Sequence, residues 1–506
     1  MAGQEETKGP DLSLGVPISD IPASGLLQGH VGEENVLLAR RGEEFFAIGS
    51  TCTHYGGPLA EGVRDGDTVF CPWHHACFSL RTGEALRAPA LNPVACWSTE
   101  QRAGRIFVAA KKEAQPVAPI PSAAAISTIV IVGGGAAGLA AAEMLRRVAF
   151  GGRIVMLSDD EAAPVDRPNL SKDYLAGTAP EDWVPLRPDT WYRENHINVR
   201  LDTRVAGIDV RAREVQVGRG ERIRYDRLLL ATGAEPVRLA VPGADAPHVH
   251  TLRSLNDCRA IIAAAQAARS VVVVGASFIG LEVAAALRTR KLDVAVVAPE
   301  KHPLEKVFGA ELGSFVRALH EEHGVGFHLE NTVATIERNR VLLQSGTALA
   351  ADLVVVGIGV RPRVALAGEA GLKLDRGVSV NQYLETSAPD VFAAGDIARW
   401  PDRHSGEAIR VEHWVVAERQ GQVAARNMLG ARERYDDAPF FWSQHYDVPI
   451  NYVGHATEWD AVDIEGDIGK RDCMVRYRKN GTLRAVASIY RDIDNLKAAL
   501  DFQRAA

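Results

Sequence analysis

Cysteine is scarce in this chain. Its six residues, Cys52, Cys71, Cys77, Cys96, Cys258 and Cys473, are spread over 506 positions. So thin a spread excludes the disulfide-knit scaffold of a small secreted domain. Positive charge is not in excess either. The 57 Lys and Arg are outnumbered by 64 Asp and Glu, leaving a net charge of -7, so no basic face for nucleic acid is expected. The opening residues, Met1-Ala-Gly-Gln-Glu-Glu-Thr-Lys, lack an apolar stretch and an arginine-rich face. They read as no targeting peptide, and the expected location is cytoplasmic. Two apolar windows, residues 126–145 and 270–287, are long enough to weigh as membrane spans. Each is a β-branched run, a glycine turn and an alanine-rich stretch. That is the pattern of a buried parallel strand feeding a helix, so no transmembrane segment is expected.

What is present divides the chain. Residues 1–111 hold short β-like runs broken by Gly, Asp and Pro, as a small all-β domain would. Residues 112–125 are rich in Pro and Ala without apolar period and read as a semi-stiff linker. From residue 126 strands alternate with helical patterns, as in α/β units around parallel sheets. The strand, glycine turn and Ala-rich helix of residues 129–145 return at 271–287. Two nucleotide-binding units are therefore expected, the second inserted in the first: 126–250 with 353–430, and 251–352. Residues 431–506 return to mixed β and form a third domain of α+β type.

Four residues stand out as metal ligands. Cys52-Thr-His54 and Cys71-Pro-Trp-His74 each offer a thiolate and an imidazole from a loop, a donor set for zinc or for iron–sulfur chemistry. Zinc fingers pair Cys with Cys and then His with His on a helix. Here each half supplies one of each, and the flanks are loop-like. The text Cys-Thr-His-Tyr-Gly-Gly-Pro-Leu followed by Cys-Pro-Trp-His-His-Ala-Cys-Phe resembles the Rieske signature. That resemblance implies a [2Fe-2S] cluster with Cys52 and Cys71 on one iron and His54 and His74 on the other. Respiratory members carry a further Cys in each loop, where Gly57 and Trp73 stand here, so no loop disulfide is expected. They also carry hydroxyls where this chain has Ala76 and Phe78. Fewer hydrogen bonds to the sulfurs leave the reduced cluster less stabilised, and a potential of about -150 mV is expected. Cys77, Cys96, Cys258 and Cys473 read as structural.

The two glycine turns call for dinucleotides. Gly133, Gly135 and Gly138, with Ala136 and Ala137 between, follow a strand and open a helix. There a pyrophosphate can approach the helix N-terminus. Asp159 lies about twenty residues on, where a ribose-binding acid belongs. The second turn runs Gly275, Ala276, Ser277, Phe278, Ile279, Gly280, with Ser277 in place of the middle glycine. Ala298 holds the following acidic position and Glu300 stands two places on, beside Lys301 and His302. An acid favours NADH and cations favour NADPH, so either is open, with a slight lean to NADH.

From residue 126 to about 502 the chain resembles the two-dinucleotide, glutathione-reductase-like flavoproteins of the ferredoxin-reductase and apoptosis-inducing-factor branch. The resemblance rests on Asp166-Arg-Pro-Asn-Leu-Ser-Lys172, Ala231-Thr-Gly233, Val391-Phe-Ala-Ala-Gly395-Asp396, Glu412-His-Trp414 and Phe441-Trp442. It implies FAD contacts from Arg167, Lys172, Ala231, Thr232, Gly233, Gly395 and Asp396, with Lys172 near the isoalloxazine. It places Glu282 near the nicotinamide, adds Gly359, and lines the flavin's far side with His413, Trp414 and Trp442. Lys172 and Glu282 are the expected catalytic residues. With the N-terminal domain, the architecture resembles the Rieske-bearing, apoptosis-inducing-factor-3-like reductases. The implied activity is an NAD(P)H-dependent oxidoreductase. Hydride would reach FAD, and single electrons would reach the cluster and then a protein or small-molecule acceptor such as an oxygenase component. The alternative is a redox-responsive scaffold with slow turnover. No Cys pair stands at residues 159–175, so disulfide chemistry is not expected. Monomer and homodimer are both left open.

Overall fold

The computed structural model describes residues 7–113, 119–120, 126–218 and 220–505. Most of the expected linker, and residues 1–6 of the expected leaderless start, lie outside the described residues. The chain forms two compact units.

The first unit comprises Met1–Pro121, Glu143–Phe150 and Asp492–Ala505. Its six-stranded antiparallel sheet runs, in spatial order, Val16–Pro17, Arg105–Lys111, Cys96–Arg102, Glu44–Gly49, Glu34–Arg41 and Leu26–Val31. Side chains alternate across a strand, and both faces here are covered. Leu37, Ala39 and Ile48 enter one core, while Val36, Leu38 and Ala47 enter another. A second sheet of Val63–Asp65, Thr68–Phe70, Cys77–Ser79 and Ala85–Arg87 carries the second Cys/His loop between its middle strands. The helix Asp492–Ala505, within the span expected as the C-terminal domain, packs Leu496 and Leu500 against Phe70 and Cys77 and clusters with this unit. Arg147 pairs with Glu84 at 2.9 Å.

The second unit is built on two five-stranded parallel sheets. The first orders Ile197–Arg200, Arg153–Leu157, Thr128–Val132, Arg227–Leu230 and Val391–Ala393. The second orders Val249–Thr251, Leu353–Val356, Ser270–Val274, Asp293–Val297 and Val325–His328. Their central strands are continuous β-branched runs because both faces are buried. Val391–Ala393 returns to pair with Arg227–Leu230, which makes the second sheet an insertion in the first. The chain crosses between them through an antiparallel ribbon of Ala234–Pro236 and Val360–Pro362. Leu353–Val356 pairs with Ser270–Val274, so the inserted sheet extends a strand past the expected limit at 352. The third layer is an antiparallel sheet of Phe440–His445, Val448–Gly454, Thr482–Ile489, Asp472–Lys479 and Ala461–Asp467. Both apolar windows are strand plus helix. Among the described residues no helix is long and apolar enough to cross a membrane.

Candidate cofactor and redox sites

In the first unit, the two Cys/His loops share one backbone frame. The Cys52 amide donates to the Gly57 carbonyl at 2.8 Å, and the Gly56 amide donates back to the Cys52 carbonyl at 3.0 Å. Cys71 and Ala76 repeat the first bond at 2.8 Å, and His75 and Cys71 the second at 3.2 Å. The fifth residue of each loop sits at positive φ, Gly56 at 77° and His75 at 59°. Glycine takes that conformation freely, and histidine is among the side chains that tolerate it.

These loops bring four donors together as two pairs. His54 Nδ1 and His74 Nδ1 lie 3.2 Å apart with their rings at 90°. Desolvation lowers the His54 imidazole to about 3, which keeps it in the neutral, metal-binding form. The buried Cys52 and Cys71 thiols share a hydrogen bond. It holds Cys52 below the ordinary thiol value, and together with burial it pushes Cys71 well above. Backbone N–H groups of His54 and Tyr55 point at the Cys52 sulfur, and those of Trp73 and His74 at the Cys71 sulfur. Such donors stabilise thiolate. Among the described residues no three His, Cys, Asp or Glu side chains converge as they would on one metal ion. A sulfur pair beside a nitrogen pair fits a two-iron centre and disfavours a lone zinc. Ala76 and Phe78 are fully buried and offer no hydroxyl. None of the six cysteines is in a disulfide, and all are buried.

The first glycine turn is packed too tightly for side chains. A Cβ on Gly133 would stand 2.0 Å from the Ala231 carbonyl, and one on Gly138 would stand 2.0 Å from the Gly133 carbonyl. Over Gly135 hangs the Arg167 guanidinium, with Nη1 3.4 Å from the Cβ that residue lacks. No described residue hydrogen-bonds or pairs with it. Burial, then repulsion from Arg253, lowers it to about 10. A crowded, unpaired cation above a glycine turn and helix N-terminus fits a pyrophosphate. The two acids expected at this site are held by arginines that sequence reading missed. Asp396 accepts from Arg253 at 2.6 Å, and exposed Asp159 from Arg363 at 2.9 Å. Thr232 donates to the Arg363 carbonyl at 2.7 Å. Gln420 and Gly421 were also missed. Gln420 Oε1 accepts from the Gly395 amide at 2.8 Å. A Cβ on Gly421 would meet the Ala137 carbonyl at 2.2 Å, and its only sequence signal is a glycine inside a helix.

The second turn repeats the close approach, with a Gly275 Cβ 2.4 Å from the Gly357 carbonyl. Ser277 caps the helix Phe278–Thr289, accepting from the Gly280 amide at 3.3 Å and donating to the Gly357 carbonyl at 2.6 Å. Its departure from glycine is a helix cap. Ile279 and Gly359 are exposed, and Phe278 packs edge-on to Phe441 at 4.9 Å. Glu300 reaches exposed Lys306 at 3.2 Å.

Lys172 and Glu282 meet. Lys172 Nζ lies 2.9 Å from Glu282 Oε2, with the Glu282 side chain 3% exposed. Ser171 donates to the same oxygen at 2.6 Å, and Ser443 to Oε1 at 2.8 Å. This is a buried ion pair. His413 stacks on Phe441 at 4.5 Å and is lowered to about 3 by burial and then by His455. Trp414 and Trp442 are half-buried, Trp442 stacking on Phe440 at 6.4 Å.

The comparisons with known proteins agree with this geometry. Residues 127–421 match the pyridine nucleotide-disulphide oxidoreductases, residues 15–98 the Rieske [2Fe-2S] domain, and residues 440–501 the reductase C-terminal family. The chain belongs to the pyridine nucleotide-disulphide oxidoreductases, as a member that carries a Rieske domain. It is an NAD(P)H-dependent oxidoreductase that uses FAD and a [2Fe-2S] cluster. Over 494 residues it is 34% identical to apoptosis-inducing factor 3 of Homo sapiens, covering 94% of this chain and 81% of that protein. It is also 34% identical to rhodocoxin reductase of Rhodococcus erythropolis, over 70% of this chain and 84% of that one. The structure of a covalent putidaredoxin reductase–putidaredoxin complex aligns with a TM-score of 0.72 and 32% identity, over 75% of this chain and 93% of that chain.

Proposed function

We propose that this enzyme passes electrons from NAD(P)H to its own Rieske cluster, and from there to a one-electron protein acceptor such as an oxygenase component. The observation that carries the reading is that one chain holds both the Cys/His donor pairs and the two glycine turns with a buried Lys172–Glu282 pair. FAD, when bound, accepts a hydride and yields electrons singly, which a two-electron donor and a one-electron cluster both require. Gly133, Gly135, Ala136, Ala137 and Gly138 would cradle its pyrophosphate with Arg167. Asp159, Ala231, Thr232, Gly233, Gly395 and Asp396 would hold the rest, with His413, Trp414 and Trp442 on the far side. Gly275, Ser277, Phe278, Ile279, Gly280, Glu300 and Gly359 would seat the nicotinamide nucleotide, with Glu282 and Lys172 fixing its orientation. Cys52, Cys71, His54 and His74 would ligate the irons. Names among the relatives support the acceptor class, including the anthranilate 1,2-dioxygenase system ferredoxin--NAD(+) reductase component of Burkholderia cepacia.

Anaerobic mixing with NADH tests the reading. Flavin bleaching should be followed, within the turnover time, by the electron-spin signal of a reduced Rieske cluster. Cys71→Ser should leave bleaching intact and abolish that signal. A cluster that stays oxidised while the flavin is reduced would overturn the intramolecular path. Slow bleaching would favour a redox-responsive scaffold instead.

A further inference from the structure

The hydrogen bonding around Glu282 does not stop at Ser443. Ser443 Oγ lies 3.2 Å from His445 Nε2, and His445 Nδ1 lies 3.1 Å from His320 Nε2. Three elements supply this row. Glu282 comes from the helix Phe278–Thr289, Ser443 and His445 from alternate positions of the strand Phe440–His445, and His320 from the last turn of the helix Glu305–Glu322. All four side chains are buried, His445 and His320 completely. At the far end His320 Nδ1 has no hydrogen-bond partner among the described residues. Beside it the Tyr446 ring lies 5.1 Å away, and exposed His323 stacks on that ring at 3.6 Å.

The donor and acceptor inventory gives this row one complete pattern when Glu282 is ionised. Ser443 donates to the carboxylate, His445 Nε2–H to Ser443, and His320 Nε2–H to His445 Nδ1, leaving a lone pair on His320 Nδ1. A second complete pattern exists when Glu282 is protonated. Every donor then points the other way, and His320 Nδ1 carries the outermost hydrogen. The two patterns differ by one proton. Loss of that hydrogen from His320 restores the first.

The reaction requires a proton exit. Oxidation of NAD(P)H by two one-electron acceptors gives NAD(P)+, two reduced acceptors and one proton, and electrons alone leave for the acceptors. We propose that Ser443, His445 and His320 relay this proton from the Lys172–Glu282 pair toward solvent. The inference rests on the proposed one-electron function. Neither imidazole stores the proton. Burial, then the Lys172 charge, lowers His445 to about 3, and burial, then His445 and His323, lowers His320 well below the ordinary histidine value. The ionisable groups facing the relay are therefore Lys172 and Glu282 at its inner end and His323 and Tyr446 at its outer end.

The test uses the holoenzyme with NADH and ferricyanide, following ferricyanide reduction and, with a pH-indicator dye, proton release in the same shot. In the natural protein the two should run in step. In Ser443→Ala and in His320→Phe, proton release should lag by on the order of 10²-fold, and added imidazole should shorten the lag in His320→Phe. Ser443→Thr, which restores a hydroxyl, should remove it. Independently of turnover, the ring-nitrogen NMR signals of His445 and His320 should move in Ser443→Ala. Protons that keep step with electrons in both variants, or histidine signals that ignore Ser443→Ala, would overturn the relay and leave the function standing. Failure of NADH to reduce any one-electron acceptor would overturn the function first.

Discussion

Arg167 offers a prediction in which the FAD-free and the FAD-loaded protein move in opposite directions. Its guanidinium is crowded over the first glycine turn, without a hydrogen-bond partner, and is lowered from the ordinary guanidinium value to about 10. That difference corresponds to about 3 kcal/mol against the charged side chain in the folded, ligand-free protein. Because the folded value lies below the unfolded one, the penalty is full at every pH below about 10. It fades only as pH rises from about 10 toward the ordinary guanidinium value. Arg167→Met removes the charge and keeps most of the apolar stem. The FAD-free variant should therefore be more stable than the FAD-free natural protein, by up to about 3 kcal/mol. With FAD the sign reverses. Losing charge-assisted hydrogen bonds to the pyrophosphate should cost about 3 kcal/mol, or on the order of 10²-fold in Kd. Thermal melting of the stripped protein and quenching of FAD fluorescence on titration measure the two effects separately. A stripped variant that melts lower, together with unchanged FAD affinity, would refute the reasoning.

Other expectations follow from the same geometry. Lys172→Met leaves Glu282 as a buried, uncompensated carboxylate and should destabilise the second unit by about 3–5 kcal/mol. Adding Glu282→Gln should recover most of that loss, as denaturant unfolding of the double variant would show. Gly138→Ala forces a Cβ to 2.0 Å from the Gly133 carbonyl and should yield protein purified without FAD, read from the absorbance ratio of flavin to protein. Ser277→Ala should lower stability by about 1 kcal/mol and Ser277→Gly by only a few tenths, because the side chain is a cap. The cluster should titrate near about -150 mV in a spectroelectrochemical cell. Phe78→Tyr, which offers a hydroxyl beside the cluster loop, should raise that value.

Local patterns carried most of the architecture. The β-branched runs at 128–132 and 270–274 declare buried parallel strands, and the glycines after them declare close backbone approaches that the structure shows in detail. The Cys/His loops were readable because each ligand pair is adjacent in sequence. What stayed hidden is what folding brings together over distance. Lys172 and Glu282 could be singled out one by one, but not their contact across 110 positions. Arg253 and Arg363 look like any surface arginine until Asp396 and Asp159 stand against them. Ser443, His445 and His320 have no signature because their row exists only once a strand lies between two helices. Nothing in the sequence of the helix Asp492–Ala505 names Phe70 and Cys77 as the surface its leucines cover.

The ribbon that joins the two parallel sheets has a practical consequence. Pro236 faces Val360 across it, and paired residues of an antiparallel ladder stand about 5 Å apart. The inserted segment thus begins and ends at neighbouring doorposts. A few glycines could bridge that gap at little loop-closure cost. Replacing residues 237–359 as one piece is therefore the natural cut for grafting a differently specific nucleotide module, provided the graft supplies partners for Lys172 and Asp396.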